Sequence, residues 1–517
     1  MLQLTWTTAL PPARNHLVAV AVREEPEQGV FDARFGKAVR EAAATARFLG
    51  KTGETFAFTT VQGDVLERVV LLGVGDLHDA ANLRTFAHDA VRQGHAAGVA
   101  TVVLDLRTFA GDAFSLAKDA AAAMRAGDVI AQGCELGGYA YEQFIAPDKR
   151  LRKTVREVIV VADDARAAES SARGQIIAAA IARARDLANG PAALVTPTHL
   201  ADTATEIVAS LAADHDVSIV VLDRDECSRR NMGCFLGVAQ GSDEPPKFIH
   251  MSYRPRGASK GRVCLIGKGV TFDSGGYSLK PTEGMLDMKM DMAGAAAVIA
   301  AFEAAVRVGV EYEVHSIVAA TENMVSGRAY RLGDVLTASN GKTVEINNTD
   351  AEGRLTLGDA MVYAAKLDPS VILDFATLTG ACIVALGPWV AGAFGDDDQL
   401  MWNVLESARS AGEDIWRLPM TDTLKDVLKS DVADMKNAGD RMGGSITAAH
   451  FLKEFVGETP WVHLDIAGPS NVNKEKGYMA KGATGFAVRT LVEFIRRRTA
   501  ELNAAVADEA IDTDDAE

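Results

Sequence analysis

Residues 347–354 read Asn-Asn-Thr-Asp-Ala-Glu-Gly-Arg, so two carboxylates, a glycine and an arginine follow one another within eight positions. Residues 343–346 just before them predict the end of a strand, and apolar residues recur at helical spacing from Leu355 through Tyr363. Open α/β sheets bind their ligands where strands end and helices begin. This stretch is therefore the first candidate for chemistry.

Short apolar strand patterns alternate with alanine-rich helical patterns on both sides of this stretch, and such alternation predicts an α/β fold. The strand patterns fall at residues 17–22, 69–75, 102–104, 158–161, 218–222, 263–266, 315–319 and 371–375. A helical pattern over 170–189 stops at Asn189-Gly190-Pro191, a combination that ends helices. We therefore predict a smaller N-terminal α/β domain at 1–168, a connecting helix at 169–190, and a larger α/β domain at 191–498 with a central mixed sheet flanked by helices.

Length and charge restrict the class of protein. A chain of 517 residues is too long for one ordinary core, and 48% hydrophobic with 24% charged residues is usual for a globular protein. The net charge of −17 argues against a generic phosphate-binding surface. Part of that charge comes from residues 499–517, an acidic tail that we expect to be disordered.

Three observations predict a cytoplasmic protein. No apolar run approaches the roughly 18 residues that cross a membrane. The N-terminus, Met1 to Trp6, lacks the basic region of a signal peptide and has the pattern of a strand. The five cysteines are scattered without a CxxC pair, which suits a reducing compartment.

Two further segments carry charged residues at predicted element ends. Residues 267–280 contain Lys268, Asp273 and Lys280 among glycines that allow the backbone to approach a ligand closely, although the order is not that of a P-loop. A surface turn with solvated lysines is the alternative. Further on, Asp291 precedes the small residues 293–297, where it is either a helix N-cap or a functional carboxylate. The small residues predict close packing of this backbone against another element.

Asp273, Asp291, Asp350 and Glu352 are four carboxylates, each at a predicted strand-helix junction. If the strands are neighbours, the four converge in one crevice, where their mutual repulsion requires a cation. The economical arrangement is two divalent metal ions about 3.5–4 Å apart, with a water activated between them. Carboxylate oxygens suit magnesium, manganese and calcium, and zinc accepts them as well. The sequence contains neither an HExxH motif nor a Gly-x-Ser-x-Gly elbow, so a histidine-zinc protease and a serine hydrolase have little support.

Residues 348–355, Asn-Thr-Asp-Ala-Glu-Gly-Arg-Leu, are similar to the signature of the leucyl aminopeptidase (cytosol aminopeptidase) family of dinuclear zinc or manganese metallopeptidases. Further segments resemble the same family at residues 238–246, 267–280, 288–297, 376–381 and 463–468. The resemblance thus covers about residues 185–494, and the N-terminal region resembles the family only in class and size.

The resemblance implies a set of metal ligands. Lys268, Asp273, Asp291 and Glu352 would hold the tighter metal ion. Asp273, Glu352 and Asp350, the last through its side chain and its main-chain carbonyl, would hold the more exchangeable ion. Asp273 and Glu352 would therefore bridge the two. A lysine ligand must be neutral, and two nearby divalent ions favour this by lowering its pKa.

The resemblance also implies an activity. The larger domain would be catalytic and would release N-terminal amino acids, with leucine and other apolar residues preferred, by attack of a water that bridges the two ions. Lys280 would stabilise the charge that develops on the scissile carbonyl. Arg354 would hold a bicarbonate that serves as general base. A salt bridge to Glu352 or Asp350 is the alternative role for Arg354.

The substrate contacts implied by the resemblance lie after the other strands. Main-chain groups of Leu378 and Gly380 would align the peptide, and Met288 would line the S1 pocket. Core packing is the alternative for Met288. The partners implied are peptide substrates and further copies of the chain in a homohexamer.

A non-catalytic role in binding DNA, as in some relatives, is the alternative function. The complete carboxylate set and the net charge of −17 argue against it, although a hexamer would concentrate local basic patches around Arg152, Lys153 and Arg156. A dinuclear phosphoesterase would explain the carboxylates but not Lys268 as a ligand.

Overall fold

The computed structural model describes residues 1–12, 14–22, 35–62, 65–74, 79–106, 120–162 and 165–499. The chain divides into two units, Met1–Ala182 with Lys474–Ala480, and Arg183–Asn473 with Lys481–Glu517. Both units are α/β structures, which confirms the predicted two-domain α/β fold. The domain boundaries at 168 and 191 stay predictions. Apart from its first residue, the predicted acidic tail at 499–517 lies outside the described residues.

The first unit is built on a six-stranded sheet. Its strands are β1 (Gln3–Thr7), β2 (Leu17–Val22), β3 (Thr55–Gln62), β4 (Val65–Gly73), β5 (Thr101–Asp105) and β6 (Glu157–Val161). They lie in the order β1-β6-β5-β2-β4-β3, parallel except for β3 at one edge. All six residues of β2 are buried, as expected of a parallel strand covered on both faces.

One helix of the first unit begins and ends at residues with clear capping chemistry. The helices of this unit include Lys37–Thr45, Ala80–Ala97 and Ala120–Gly137, and Ser171–Asn189 then runs across the division between the units. The second of them begins after Asp79, whose carboxylate accepts hydrogen bonds from the amides of Ala81 and Asn82. It ends at Gly98, which has the left-handed backbone conformation common after helices.

The second unit is organised around an eight-stranded mixed sheet. The strands of the whole unit, eight of which form this sheet, are β7 (Asp216–Leu222), β8 (Lys247–Arg254), β9 (Arg262–Asp273), β10 (Glu313–Asn323), β11 (Val335–Thr337), β12 (Thr343–Glu345), β13 (Val371–Ala376), β14 (Ala391–Phe394), β15 (Ile415–Arg417), β16 (Met435–Lys436), β17 (Trp461–Asp465), β18 (Asn471–Val472) and β19 (Gly482–Ala483). The large sheet has the order β15-β14-β17-β13-β9-β10-β8-β7. Its four adjacent strands β17, β13, β9 and β10 are mutually parallel, so their carboxyl ends meet at one edge.

Helices flank this sheet as predicted. They are Pro197–Leu211, Arg224–Arg229, Gly233–Val238, Thr282–Met285, Ala293–Val308, Gly353–Ala365, Gly380–Leu386, Asp398–Ala411 and Gly444–Lys453, and residues 488–499 are also helical. Strands β9, β10 and β13 are buried almost throughout. By contrast, β7 is not the buried strand that its apolar pattern predicts, because it forms the edge of the sheet and its side chains alternate between exposed and partly buried.

The strand before residues 347–354 belongs to a different sheet from the one expected. Strand β12 lies in a small three-stranded sheet of order β11-β12-β16, and not beside β9 in the large sheet. The idea that the four carboxylates follow neighbouring strands is therefore wrong for this segment. Within the described residues, no helix is both long and apolar enough to span a membrane. All five cysteines are buried and free.

Candidate metal centre

Strand β9 carries Lys268 in its interior and ends at Asp273. Because side chains alternate along a strand, residues five apart are expected on opposite faces. The pairing of β9 with β10 shifts register at this point, since Val270 pairs with Thr321 whereas Phe272 pairs with Glu322. The extra residue on β9 restores Lys268 and Asp273 to the same face. This bulge is a local feature that the sequence pattern does not reveal.

Asp291 is positioned by the close approach of a helix to the sheet. It follows a 3-10 turn, Met288–Met290, and precedes the helix Ala293–Val308. A Cβ atom on Gly294 would overlap the carbonyl oxygen of Phe375 on β13, so only glycine allows this contact. The close packing predicted from the small residues is therefore present. The helix N-cap is Met292, which makes no side-chain cap, so the capping alternative for Asp291 is wrong.

Two lysines lie between the carboxylates. The Nζ atom of Lys268 is 2.7 Å from Asp291 Oδ1 and 2.8 Å from Glu352 Oε1, and it donates a hydrogen bond to the carbonyl of Thr377 at 3.0 Å. The Nζ atom of Lys280 is 2.8 Å from Asp273 Oδ2 and 2.6 Å from Asp350 Oδ1. The structure thus brings together the six residues predicted from three separate segments, which are Lys268, Asp273, Lys280, Asp291, Asp350 and Glu352.

The surface-turn alternative for residues 267–280 does not hold at either lysine. Lys268 has only 3% of its side chain exposed, and Lys280 has 17%. Burial by itself lowers the pKa of Lys268, but the carboxylates of Asp291 and Glu352 outweigh it, and the net shift is upward. In this arrangement the amine is therefore protonated, and it partly neutralises the cluster.

In the acidic side chains of the cluster, burial favours the neutral form. Burial, together with the neighbouring negative charge of Glu352, raises the pKa of both Asp273 and Asp291. The pKa of Asp350 is also raised, by burial and by the nearby Asp273. Buried carboxylates whose pKa values rise in this way are poorly compensated by the two lysines, and additional positive charge would stabilise their ionised forms.

The donor set fits divalent cations. One oxygen each from Asp273, Asp350 and Glu352 lies within 4.8 Å of the others, a spacing that allows shared coordination. Among the described residues, none donates a hydrogen bond to the buried Asp291 Oδ2, and the contact of the buried Glu352 Oε1 with Lys268 is an ion pair without hydrogen-bond geometry. A buried carboxylate oxygen without a donor, such as Asp291 Oδ2, is costly unless a cation approaches it. The residues present therefore match the needs of hard or borderline metal ions.

Arg354 is buried beside this cluster without joining it. Its Nη1 donates a hydrogen bond to the main-chain carbonyl of Asn437 at 2.8 Å, and its Nε has no hydrogen-bond partner among the described residues. In the described residues Arg354 makes no ion pair with Glu352 or Asp350, so the salt-bridge alternative is not supported. Burial lowers the pKa of Arg354 to about 10, which still leaves it cationic at neutral pH.

The predicted substrate contacts lie at the same edge of the sheet. The amide of Leu378 donates a hydrogen bond to Asp465 Oδ1 at 3.2 Å. Gly380 is exposed and begins the helix Gly380–Leu386, where first-turn amides have no partner within the helix. Met288 is partly exposed and does not belong to the buried core, so core packing does not account for it.

Sequence reasoning missed the residues that hold the carboxylates in place. The side-chain amide of Asn323 donates to Asp273 Oδ1 at 2.8 Å and to the carbonyl of Thr349 at 2.9 Å. The hydroxyl of Thr349 donates to the carbonyl of Gly275 at 2.7 Å. The hydroxyl of Thr377 donates to Asp291 Oδ1 at 2.7 Å. Of these residues, Asn323 alone could have been found from a strand pattern, because it pairs with Asp273 on the neighbouring strand. That inference would require the register between β9 and β10 to be known.

Known proteins resemble the chain in both units. Residues 182–492 match the model of the cytosol aminopeptidase family catalytic domain, and residues 18–146 match that of its N-terminal domain. The second match extends the likeness to a region where the motifs indicated only class and size. A probable cytosol aminopeptidase of Nostoc punctiforme is 44% identical over 92% of this chain and 94% of its own length. One of Gloeobacter violaceus is 51% identical over 66% of this chain and 68% of its own length.

Solved structures agree with the family models. A mutant of tomato leucine aminopeptidase has a TM-score of 0.86 and 35% identity, covering 96% of this chain and 97% of that one. The bottromycin maturation enzyme BotP, in complex with Mn, has a TM-score of 0.81 and 35% identity, covering 94% of this chain and all of that one. With a buried carboxylate cluster suited to metal ions, and matches over both units, this chain belongs to the cytosol aminopeptidase family and is a metal-dependent aminopeptidase.

Proposed function

We propose that the protein is a dinuclear metallopeptidase that releases N-terminal amino acids from peptides, with leucine and other apolar residues preferred. The observation that carries this proposal is the buried cluster in which Lys268 contacts Asp291 and Glu352 while Lys280 contacts Asp273 and Asp350. The name of the tomato relative supports leucine as a preferred residue. BotP was solved in complex with Mn, which supports manganese here, and zinc is the second choice of metal.

Two ligand sets account for the donors of the cluster. Lys268, Asp273, Asp291 and Glu352 would hold one ion, and Asp273, Asp350 and Glu352 the other. The buried Asp291 Oδ2, which accepts no hydrogen bond from the described residues, supports a metal ion beside Asp291. When bound, the two ions supply a water nucleophile at neutral pH and polarise the scissile carbonyl. Lys268 must lose its proton to serve as a ligand, and that proton leaves to solvent.

The lysine and arginine residues have separate tasks in this proposal. Lys280, partly exposed and held by Asp273 and Asp350, lies where its charge can stabilise the oxyanion that develops on the substrate. Arg354 would hold a bicarbonate, which would supply a general base. Its buried Nε, which lacks a partner among the described residues, is a donor available to such an anion.

The substrate is oriented by groups around the cluster. The carbonyl of Leu378 and the amide of Gly380 align the peptide backbone, since both follow β13 at the edge where the carboxylates lie. Met288 lines the pocket for the first side chain, where a partly exposed thioether suits an apolar group. Binding of the free α-amine limits cleavage to the N-terminal residue.

Hydrolysis by the metal-depleted and reloaded enzyme tests the function. Protein treated with a chelator and then given Mn²⁺ or Zn²⁺ should release p-nitroaniline from leucine p-nitroanilide, and elemental analysis should find two ions per chain. The matched substrate N-acetyl-leucine p-nitroanilide should not be cleaved, because it lacks the free amine. Full activity after verified metal removal, or equal cleavage of the blocked substrate, would refute the proposal.

We further propose that the chain works as a homohexamer in the cytoplasm. This part of the proposal rests on family membership. Light scattering on the purified protein should give six times the 54.8 kDa mass of the chain. A monomer or dimer at micromolar concentration would contradict it.

A further inference from the structure

The segment after β16 lies beside the segment that carries the carboxylates. Strand β16 pairs in parallel with β12, with Met435 opposite Val344 and Lys436 opposite Glu345. The amide of Asn437 continues this pairing by donating to the carbonyl of Glu345 at 2.9 Å. The segments that follow β12 and β16 therefore leave the small sheet side by side. Asn437 is fully buried and faces the start of residues 347–354.

The side chain of Asn437 binds this loop through both of its polar atoms. Its Oδ1 accepts hydrogen bonds from the amides of Asn347 at 3.0 Å and Asn348 at 3.3 Å. Its Nδ2 donates to the carbonyls of Asn348 at 2.6 Å and Ala351 at 3.3 Å. Two acceptor bonds and two donor bonds from one short side chain require an asparagine, because aspartate has no donor and glutamine is longer by one methylene.

The main chain of Asn437 reaches a different group. Its carbonyl accepts the hydrogen bond from Arg354 Nη1 at 2.8 Å, which is the hydrogen bond that anchors the buried guanidinium. One residue thus contacts the loop that presents Asp350 and Glu352 and also the arginine that follows them.

We infer that Asn437 is a positioning residue for the reaction, which fixes Arg354 relative to the metal-binding loop 348–352. The inference rests on the proposed function. Among the described residues, Asn437 makes no hydrogen bond to a proposed ligand side chain, so its effect passes through Arg354 and through the backbone on either side of Asp350. Displacement of a reacting group by about 1 Å costs about 10²-fold in rate, so loss of this anchor acts on turnover more than on substrate binding.

The neighbouring Asn347 provides a matched control. Its side chain joins the same two segments in the reverse direction. It donates a hydrogen bond to the carbonyl of Ala438 at 2.8 Å and accepts one from the amide of Ala438 at 3.1 Å. It makes no bond to Arg354 among the described residues. Asn437→Asp and Asn347→Asp each replace an amide by a carboxylate, so they add the same charge to the same pair of segments.

Steady-state kinetics on leucine p-nitroanilide with Mn²⁺ tests the inference. Asn437→Asp should lower kcat by about 10²-fold and change KM by less than about threefold, whereas Asn347→Asp should change kcat by less than about threefold. Asn437→Gln, which keeps the amide group but misplaces it, should also lower kcat and serves if the aspartate variant does not fold. Thermal unfolding of each variant measures the purely structural effect.

A double-mutant cycle separates action through Arg354 from a general loss of order. If Asn437 acts through the arginine, Asn437→Asp combined with Arg354→Lys should be about as slow as Arg354→Lys alone. Losses that multiply, or equal losses in the Asn437 and Asn347 variants at equal thermal midpoints, would overturn the inference.

Metal titration keeps this test separate from the proposed function. Calorimetry with Mn²⁺ should show weaker binding by Asn437→Asp than by Asn347→Asp, whether or not the wild type cleaves peptides. If the wild-type enzyme has no metal-dependent aminopeptidase activity, the proposed function fails. If it is active and the two asparagine variants bind Mn²⁺ and turn over alike, the inference about Asn437 fails.

Discussion

Replacement of Gly353 by alanine should remove activity while leaving the protein folded. Gly353 is the first residue of the helix Gly353–Ala365, directly after Glu352. A Cβ atom at this position would lie 2.5 Å from Cε and 2.7 Å from Nζ of Lys268. Gly358 in the same helix is a matched control, because its added Cβ would meet the ring of Phe455 at 3.4 Å, an ordinary contact distance.

The expected magnitudes follow from these distances. In the interior of a helix, alanine is more favourable than glycine by about 0.5–1 kcal/mol. At Gly358 nothing opposes this gain, so stability should rise slightly. Gly353 is at the first helical position, where that interior gain does not apply, so overpacking should lower the free energy of unfolding by about 1–3 kcal/mol. To restore ordinary contact the end of Lys268 must move by about 1 Å, which predicts a loss of about 10²-fold in kcat/KM.

Urea unfolding and leucine p-nitroanilide hydrolysis should be measured on both variants with and without Mn²⁺. The expected result is a Gly353→Ala protein that unfolds cooperatively, retains less metal and is about 10²-fold slower, beside a Gly358→Ala protein with wild-type kinetics. Near-normal turnover and metal content in Gly353→Ala would show that the position of the Lys268 amine does not matter, and the ligand role of Lys268 would fall with it.

Three further predictions concern charge. Glu352→Gln removes a buried charge 2.8 Å from Lys268 Nζ. Because two unit charges about 4 Å apart at an effective dielectric of about 20 interact by about 4 kcal/mol, activity with Mn²⁺ should fall about 10³-fold. A loss of less than tenfold would exclude a bridging role for Glu352. Neighbouring carboxylates raise the pKa of Lys268, so metal binding should release at least one proton, and the affinity for metal should rise about tenfold per pH unit. Calorimetry in buffers of different ionisation enthalpy measures this proton release. Binding that does not depend on pH between 6 and 8 would contradict lysine ligation. Burial raises the pKa of Asp359 from 3.8 to about 6, so the folded state binds more protons than the unfolded state between these values. Wild-type stability should therefore fall by about 2 kcal/mol as the pH rises from 4 to 7, and chemical denaturation of Asp359→Asn should lack this slope; an equal slope in the variant would refute the assignment.

Much of the candidate site was predictable because its residues sit at the ends of periodic segments. The four carboxylates and two lysines lie in three short stretches that follow or precede clear strand and helix patterns, and the observed elements agree closely with them. Residues 347–354 lie between strand β12 at Thr343–Glu345 and the body of the helix Gly353–Ala365, as expected. Periodicity reflects burial along a single element, so it is visible without knowledge of neighbours.

The expected route to convergence was wrong in part. Asp350 and Glu352 reach the cluster from a small separate sheet, and Asp291 arrives from a 3-10 turn, so neighbouring strands of one sheet account only for Asp273. Strand pairing depends on contacts between residues far apart in the chain, and apolar patterns alone do not specify which strands are adjacent.

The linear order of residues therefore decides the α/β class, the two-unit organisation and the chemical types available for a metal site. Tertiary structure decides how those groups act together. The bulge that turns Lys268 and Asp273 to one face, the glycine contact that brings Asp291 to β13, and the bonds of Asn437 to residues 347–351 all depend on register between distant segments. The reason is physical: a side chain's type is local, whereas its direction and partners are set by the strands and helices packed against it.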